Sequence, residues 1–390
     1  MTTSIAIIIL FGLTLNFIFE KLKLPGLLGM LLLGIVLGPY VLDVLDSALL
    51  SISSDLRKLA LIIILLRAGL GISKDNLNKV GKTAIKMSFI PGILEGLTIA
   101  SLSMFLFNMT FIEGGILGFI VAAVSPAVVV PSMLNFIDNK IGEKKNIPTL
   151  ILASASIDDV VAITIFTTFL GLYSGSQINI GMSLLSIPIS IVLGIVIGVL
   201  TGLLLVSFFK KHHVRDTKKV LIILGIATLL TSLETVLSGL VPIASLLGVM
   251  TIGFVLLEKR EIVAKRLAKK FNKIWVFSEI LLFVLIGSQV NIEVAFNSGL
   301  KGVIIILCGL ILRSIGVLIS TLGTDLNLKE RLFCAIAYTP KATVQAAIGA
   351  IPLSLGVPSG ELILAVAVLS IILTAPLGLI GIRYGGKHLL

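Results

Sequence analysis

Two adjacent carboxylates, Asp158 and Asp159, stand in the middle of residues 147–172, NIPTLILASASIDDVVAITIFTTFLG, a run otherwise apolar and long enough to cross a bilayer. An aspartate at the centre of a membrane helix costs roughly 3 kcal/mol on insertion scales, so a pair is tolerated only where water, counter-charge or a cation reaches it. The plain structural alternative is that one of them rests in a satisfied polar network. A carboxylate in a water-reached cavity binds either a proton or a small cation and does not hold both well, and exchange follows from that competition. Hard oxygens suit Na⁺ or Li⁺, and Ser125, Ser154 and carbonyls freed by a helix break are candidates to complete a shell. Ser154 lies four residues before Asp158 on the same helical face, where a serine can equally bond its own backbone.

Further ionisable residues fall inside apolar runs: Glu95, Arg67, Arg313, Lys341 and Glu279. Arg313 or Lys341 facing lipid would be costly, whereas facing acids across a bundle interior they are compensated. The runs that carry Glu95, Asp158, Asp159, Arg313 and Lys341 are therefore expected to pack together. An arginine neutralises but does not release a proton, while a lysine can. Glu95 with Arg313 reads most simply as a buried locking pair. His212 and His213, beside Lys211 and Arg215, fit either a pH sensor or a solvated basic turn.

The elements that hold these groups are membrane helices. Of the 390 residues 57% are hydrophobic and only 13% charged, and the mean hydropathy is +1.15. That excludes an ordinary soluble domain and disorder alike. Cys308 and Cys334 lack any ligand-like spacing, so neither a disulfide framework nor a zinc site is indicated, and no cofactor is expected. The stretch from Thr3 to Phe19 has no basic flank or cleavage site and reads as a retained span. About thirteen apolar runs follow one another, near 3–19, 25–42, 56–72, 83–107, 111–136, 147–172, 183–209, 219–238, 240–257, 273–292, 299–322, 331–355 and 360–382. Alternating the loops sends almost every lysine and arginine, including Lys23 and the cluster from Lys259 to Lys273, to one side. The other side receives only Arg57, Lys58 and Lys301. The net charge of +11 thus reports orientation and not nucleic acid, with the amino terminus outside and the carboxy terminus cytoplasmic. The basic cytoplasmic surface also suits anionic lipid.

Two runs are interrupted. The fifth reads AVSPAVVVPSM, with Pro126 and Pro131, and the twelfth reads YTPKATVQAAIG, with Pro340 beside Lys341. Proline removes a backbone donor and clashes with the preceding turn, so both helices should unwind there, which is permitted at that depth only in a protein interior or cavity. Aligning Ser125-Pro126-Ala127 with Thr339-Pro340-Lys341 pairs spans one to six with eight to thirteen. The odd offset inverts the second repeat, and matched breaks of this kind mark transporter substrate sites.

The DD pair in SIDDVVAI, the motifs VSPAVVVPSM and PKATVQAAIG, and LRAGLGI from Leu66 to Ile72 resemble the sodium/proton antiporters of the monovalent cation:proton antiporter superfamily. The likeness runs from about Leu24 to the C-terminus and is greatest to the NHA branch, with similarity also to NhaA and NapA type antiporters. It implies an all-α polytopic membrane protein of about thirteen helices, two inverted six-helix repeats with crossed broken helices, a homodimer in the plasma (inner) membrane, and elevator-like movement. Residues 1–82 and 218–298 would be scaffold and dimerisation helices, 83–172 and 299–390 the core, and 173–217 a linker helix. By the same resemblance Asp159 is the principal carrier of Na⁺ (or Li⁺) and H⁺ and Asp158 its partner. Arg313 matches the family's basic residue before the second broken helix, Lys341 the lysine within that helix, and Glu95 an acid that pairs with the arginine. The better-known electrogenic antiporters have lysine where this chain has Arg313. Competing readings are K⁺/H⁺ exchange and a cation channel; a membrane enzyme is disfavoured by the absence of any nucleophile and base pairing or metal motif.

Overall fold

The computed structural model describes residues 1–22, 24, 26–71, 74–173, 180–237 and 243–390. Lys23, Ile72 at the end of LRAGLGI, and the start of the ninth run at 240–242 lie outside the described residues. In chain order the helices are α1 (Thr2–Lys21), α2 (Gly26–Leu37), α3 (Ser47–Ser51), α4 (Ser53–Gly69), α5 (Lys74–Phe107), α6 (Phe111–Val121), α7 (Pro126–Asp138) and α8 (Ile147–Tyr173). They continue as α9 (Ile180–Lys211), α10 (Asp216–Leu237), α11 (Ser245–Lys259), α12 (Glu261–Gly287), α13 (Ile292–Ser320), α14 (Leu328–Ala337), α15 (Thr343–Ile348), α16 (Ile351–Ser354) and α17 (Gly360–His388). The described residues contain no strand.

Helix is the only local solution for most of these runs, because in lipid each backbone polar group must be satisfied within its own segment. Among the described residues, six helices are long and apolar enough to cross a membrane by length and composition: α1, α5 from Val80, α8, α9 from Pro188, α13 from Gly299, and α17. Side chains such as Leu10, Phe17, Leu204 and Leu300 are well exposed on them, as a lipid-facing surface requires. The fifth and twelfth runs are each split into a pair of short helices, α6 with α7 and α14 with α15. An 11-residue helix such as α6 spans about 17 Å, half of a hydrocarbon core of about 30 Å. Both first halves start with a capping box: Thr110 with Glu113 opens α6, and Asn327 with Glu330 opens α14.

The chain forms two compact units, one of Met1–Arg57, Val80–Ser176 and Glu279–Leu390, the other of Lys58–Lys79 and Gln177–Ser278. In the second unit, α9 and α11 pack through Gly194, Gly198 and Gly202, where a Cβ would strike Ala244, Gly248 and Val255. The amide of Lys74 donates to Glu258 at 2.7 Å, and Arg266 pairs with Asp216 at 2.7 Å. In the first unit, polar contacts gather at two opposite ends. At one, Met1 meets Asp46 at 2.8 Å, Gln289 reaches Ser53 at 3.3 Å, Asn291 reaches Glu361 at 3.2 Å and Ser359 donates to Glu113 at 2.7 Å. At the other, Lys145 bonds the Asp325 carbonyl at 2.6 Å and Glu330 at 2.8 Å.

Several boundaries differ from the sequence expectation. α5 begins at Lys74 and α12 at Glu261, each well before the apolar run, because lysine and arginine are good helix formers that carry a helix beyond its apolar part. α4 begins at Ser53, and this corrects the placing of Arg57 in an outer loop. It occupies the second turn of a helix and is buried.

Candidate ion-binding site at the crossed helix breaks

The broken pairs meet inside the first unit. Between α6 and α7 the chain is non-helical across Ala123 to Ser125, and between α14 and α15 across Thr339 to Ala342. The Ser125 amide donates to the Pro340 carbonyl at 2.8 Å, and the Thr343 amide to Ser125 Oγ at 3.4 Å, so the two extended segments bond to each other. Gly378 of α17 leaves space for the Pro340 ring, since a Cβ there would lie 2.3 Å from it. The Lys341 amide donates to Thr374 Oγ1 at 2.8 Å.

The carbonyls that end α6 have no helical partner, and side chains supply one. Gln345 Nε2 donates to Ile120, Val121 and Ala123 at 3.0, 3.2 and 2.9 Å. The Ala122 carbonyl accepts from Lys341 Nζ at 3.3 Å and also from Arg313 Nη1. Arg313 Nε reaches the Tyr338 carbonyl at 2.8 Å, and its guanidinium lies 5.2 Å from the Tyr338 ring centroid.

Close helix approach then delivers the acids. A Cβ on Gly316 of α13 would fall 2.7 Å from the Cα of Pro91 on α5, and one on Gly309 would lie 3.3 Å from Glu95 Cγ. Small residues at such crossings let backbones approach, as in other membrane helix pairs. Glu95 Oε2 accepts from Arg313 Nη1 at 2.6 Å and from Lys341 Nζ at 2.7 Å. Asp158 Oδ2 accepts from Arg313 Nη2 at 2.9 Å and from the Val124 amide at 3.1 Å. Asp159 is different. Both of its carboxylate oxygens are buried without a hydrogen-bond partner among the described residues.

All five charged residues expected to pack together thus lie in one buried cluster, in which Glu95 serves two cations and not Arg313 alone. Ser125 is buried at the crossing. Ser154 is buried too, and its hydroxyl donates to the Leu150 carbonyl of its own helix. Arg67 and Glu279 are half-buried, and His212 and His213 are exposed. Sequence reasoning passed over Gln345 and Thr374. The signal for Gln345 was a primary amide inside PKATVQAAIG, a donor flanked by Val344 and Ala346, which have none to offer.

Buried acids and bases joined at crossed, broken helices in an apolar, all-helical chain are the parts of an ion-coupled membrane transporter. A family profile described as sodium/hydrogen exchanger, transmembrane, matches residues 5–383. Sodium/hydrogen exchanger 9B2 of Mus musculus is 38% identical over 391 residues, covering 94% of this chain and 69% of that protein. The Homo sapiens protein of the same name is 36% identical over 389 residues, covering 94% and 70%. Among solved structures, the sodium proton antiporter MjNhaP1 from Methanocaldococcus jannaschii at pH 8 superposes with a TM-score of 0.82 at 20% identity, covering 98% of this chain and 96% of that one. The chain belongs to the sodium/hydrogen exchanger family of monovalent cation:proton antiporters, and it is an integral membrane protein.

Proposed function

We propose that the protein exchanges Na⁺ or Li⁺ for H⁺, with Asp159 as the group that binds cation and proton in turn. The observation that carries this is the contrast within the DD pair: Asp158 is committed to Arg313 and the Val124 amide, whereas neither oxygen of Asp159 has a donor. A buried carboxylate without hydrogen bonds requires a proton or a cation for company. In this reading Asp158 Oδ1, also without a donor among the described residues, and the buried Ser125 would contribute oxygen to the same ion, with Ser154 a further ligand if its hydroxyl turns from Leu150. The cluster holds the acids Glu95, Asp158 and Asp159 against Arg313 and Lys341. It lacks one positive charge, which one Na⁺ or one H⁺ supplies, so the reading is one-for-one exchange.

Alternating access would come from an elevator-like movement of the core, 83–172 and 299–390, against a dimeric scaffold of 1–82 and 218–298, with 173–217 as linker. Thirteen spans in two inverted repeats, the amino terminus outside and the carboxy terminus cytoplasmic in a plasma membrane, accord with the matched breaks and capping boxes. Each polar contact between loops also joins two loops that the alternation assigns to one side. The exposed cytoplasmic lysines of α12 would meet anionic lipid. The test is a proteoliposome assay under an imposed pH gradient with Na⁺, Li⁺ and K⁺ in parallel. Asp159→Asn should abolish exchange while the purified protein keeps the wild-type Tm and oligomeric state. Wild-type rates in this variant would refute Asp159 as carrier, and a response to K⁺ alone would refute the ion assignment.

A further inference from the structure

Among the described residues, the cluster accounts for every buried cation of the first unit's interior except Arg57. It is 3% exposed, yet no ion pair among the described residues includes it. Its Nε donates to the Ser53 carbonyl at 3.2 Å and its Nη1 to the Ala346 carbonyl at 3.4 Å, both long bonds. A guanidinium does not shed its charge, so an unpaired positive charge is held inside an apolar protein, a costly arrangement that asks for a purpose.

Its position supplies one. Ser53 is tied to Gln289, and α4 follows the segment in which Asp46 holds Met1, so Arg57 enters from the end of the unit that carries the amino terminus. The chain after the second break runs from Lys341 through α15 and α16 to Ser359, at that same end. Ala346 therefore lies between the acid cluster and this end, and Arg57 reaches it there.

We propose that Arg57 is a gating residue that closes the approach to Asp159 from the amino-terminal face, repelling the cation while its bond to Ala346 persists and withdrawing when that face opens. This rests on the antiport reading. In that reading α4 belongs to the scaffold and α15 to the core, so the bond joins parts that move apart.

The experiment compares Na⁺-driven proton movement by the full chain in vesicles of both orientations, the amino-terminal face being identified by protease access to a tag at Met1. Arg57→Gln should lower the KM for Na⁺ several-fold when Na⁺ is offered at the amino-terminal face and leave the opposite KM within about two-fold. Arg57→Lys, which keeps the charge, should restore the wild-type asymmetry. A KM changed equally at both faces, or unchanged at both, would overturn the gate, and an altered Tm with unmoved KM would reduce Arg57 to a structural tie. Should Arg57→Gln fail to fold, Arg57→Lys with a wild-type Tm but equalised KM values would equally overturn the role of charge. No Na⁺-dependent proton movement by the wild-type protein would instead sink the antiport reading itself.

Discussion

Glu95→Gln is the perturbation that tests the site most directly, because one oxygen, Glu95 Oε2, holds two cations. Arg313 would keep Asp158 at 2.9 Å and the Tyr338 carbonyl at 2.8 Å. Lys341 Nζ would lose its ion pair and keep only neutral acceptors, the Ala122 carbonyl at 3.3 Å and at best the glutamine's amide oxygen. The stranded charge is therefore the lysine, and removing one partner of a buried pair costs roughly 3–5 kcal/mol. Lys341→Gln leaves Glu95 on Arg313 and should cost less, about 1.5–3 kcal/mol for a hydrogen bond to a charged group. In the double variant no lysine is left to strand, so its loss should fall short of the sum by about 2 kcal/mol, within the range seen for neighbouring groups. Unfolding in detergent of the wild type, both singles and the double measures this coupling. Losses that add to within about 0.5 kcal/mol would refute the shared-carboxylate reasoning.

Exchange in proteoliposomes clamped with valinomycin and potassium should ignore voltage, as one-for-one exchange requires, and a rate that rises steeply with interior potential of either sign would refute it; Lys341→Gln should then lower rate or affinity without altering the measured stoichiometry. Gln345→Ala removes the donor to the Ile120 and Val121 carbonyls of α6 and to the Ala123 carbonyl beyond it, and should cost roughly 1–3 kcal/mol in detergent unfolding, with Na⁺ affinity falling as the break loosens; an unchanged Tm would show that those carbonyls find other donors. The hydrogen bond from Arg266 holds the Asp216 carboxyl below the usual carboxylate range. Its contribution is thus complete above about pH 4, the unfolded value, and is lost as pH falls through the lower folded value. For this part-exposed pair Asp216→Asn should cost about 1 kcal/mol or less at pH 7, a deficit that should shrink steadily as unfolding is measured at successively lower pH below about 4 and that would count against the pairing if it stayed constant.

The charged members of the site were legible because each is too costly in an apolar run to lack a purpose, and the prolines marked where the helices give way. What adjacency did not reveal was the division of labour in the DD pair. Neighbours on an α-helix point about 100° apart, so the two aspartates cannot both face Arg313. Which one does depends on how α8 is rotated against α13. Gln345 and Thr374 were illegible for a different reason, since a neutral polar side chain in such a run costs far less than a charge and raises no alarm. Arg57 misled the loop count because a basic residue near a span end is ordinarily read as topology, and only the earlier start of α4 shows it entering the interior.

The break and the counter-charge are one device. Ending α6 in mid-membrane exposes carbonyls that need donors, and the donors that reach Ala122 are the cations Arg313 and Lys341. Cations at that depth need acids, and Glu95 and Asp158 are consumed in meeting them. One carboxylate in the cluster then remains without a hydrogen-bond partner among the described residues, and that is Asp159. In the proposed reading this lone buried acid binds one positive charge at a time, whether proton or Na⁺, and the competition needed for exchange would follow from the way the broken helix is repaired. Loosening the repair, at Gln345 or at Glu95, should release other acids or strand other bases, and the one-for-one count should degrade before exchange itself is lost.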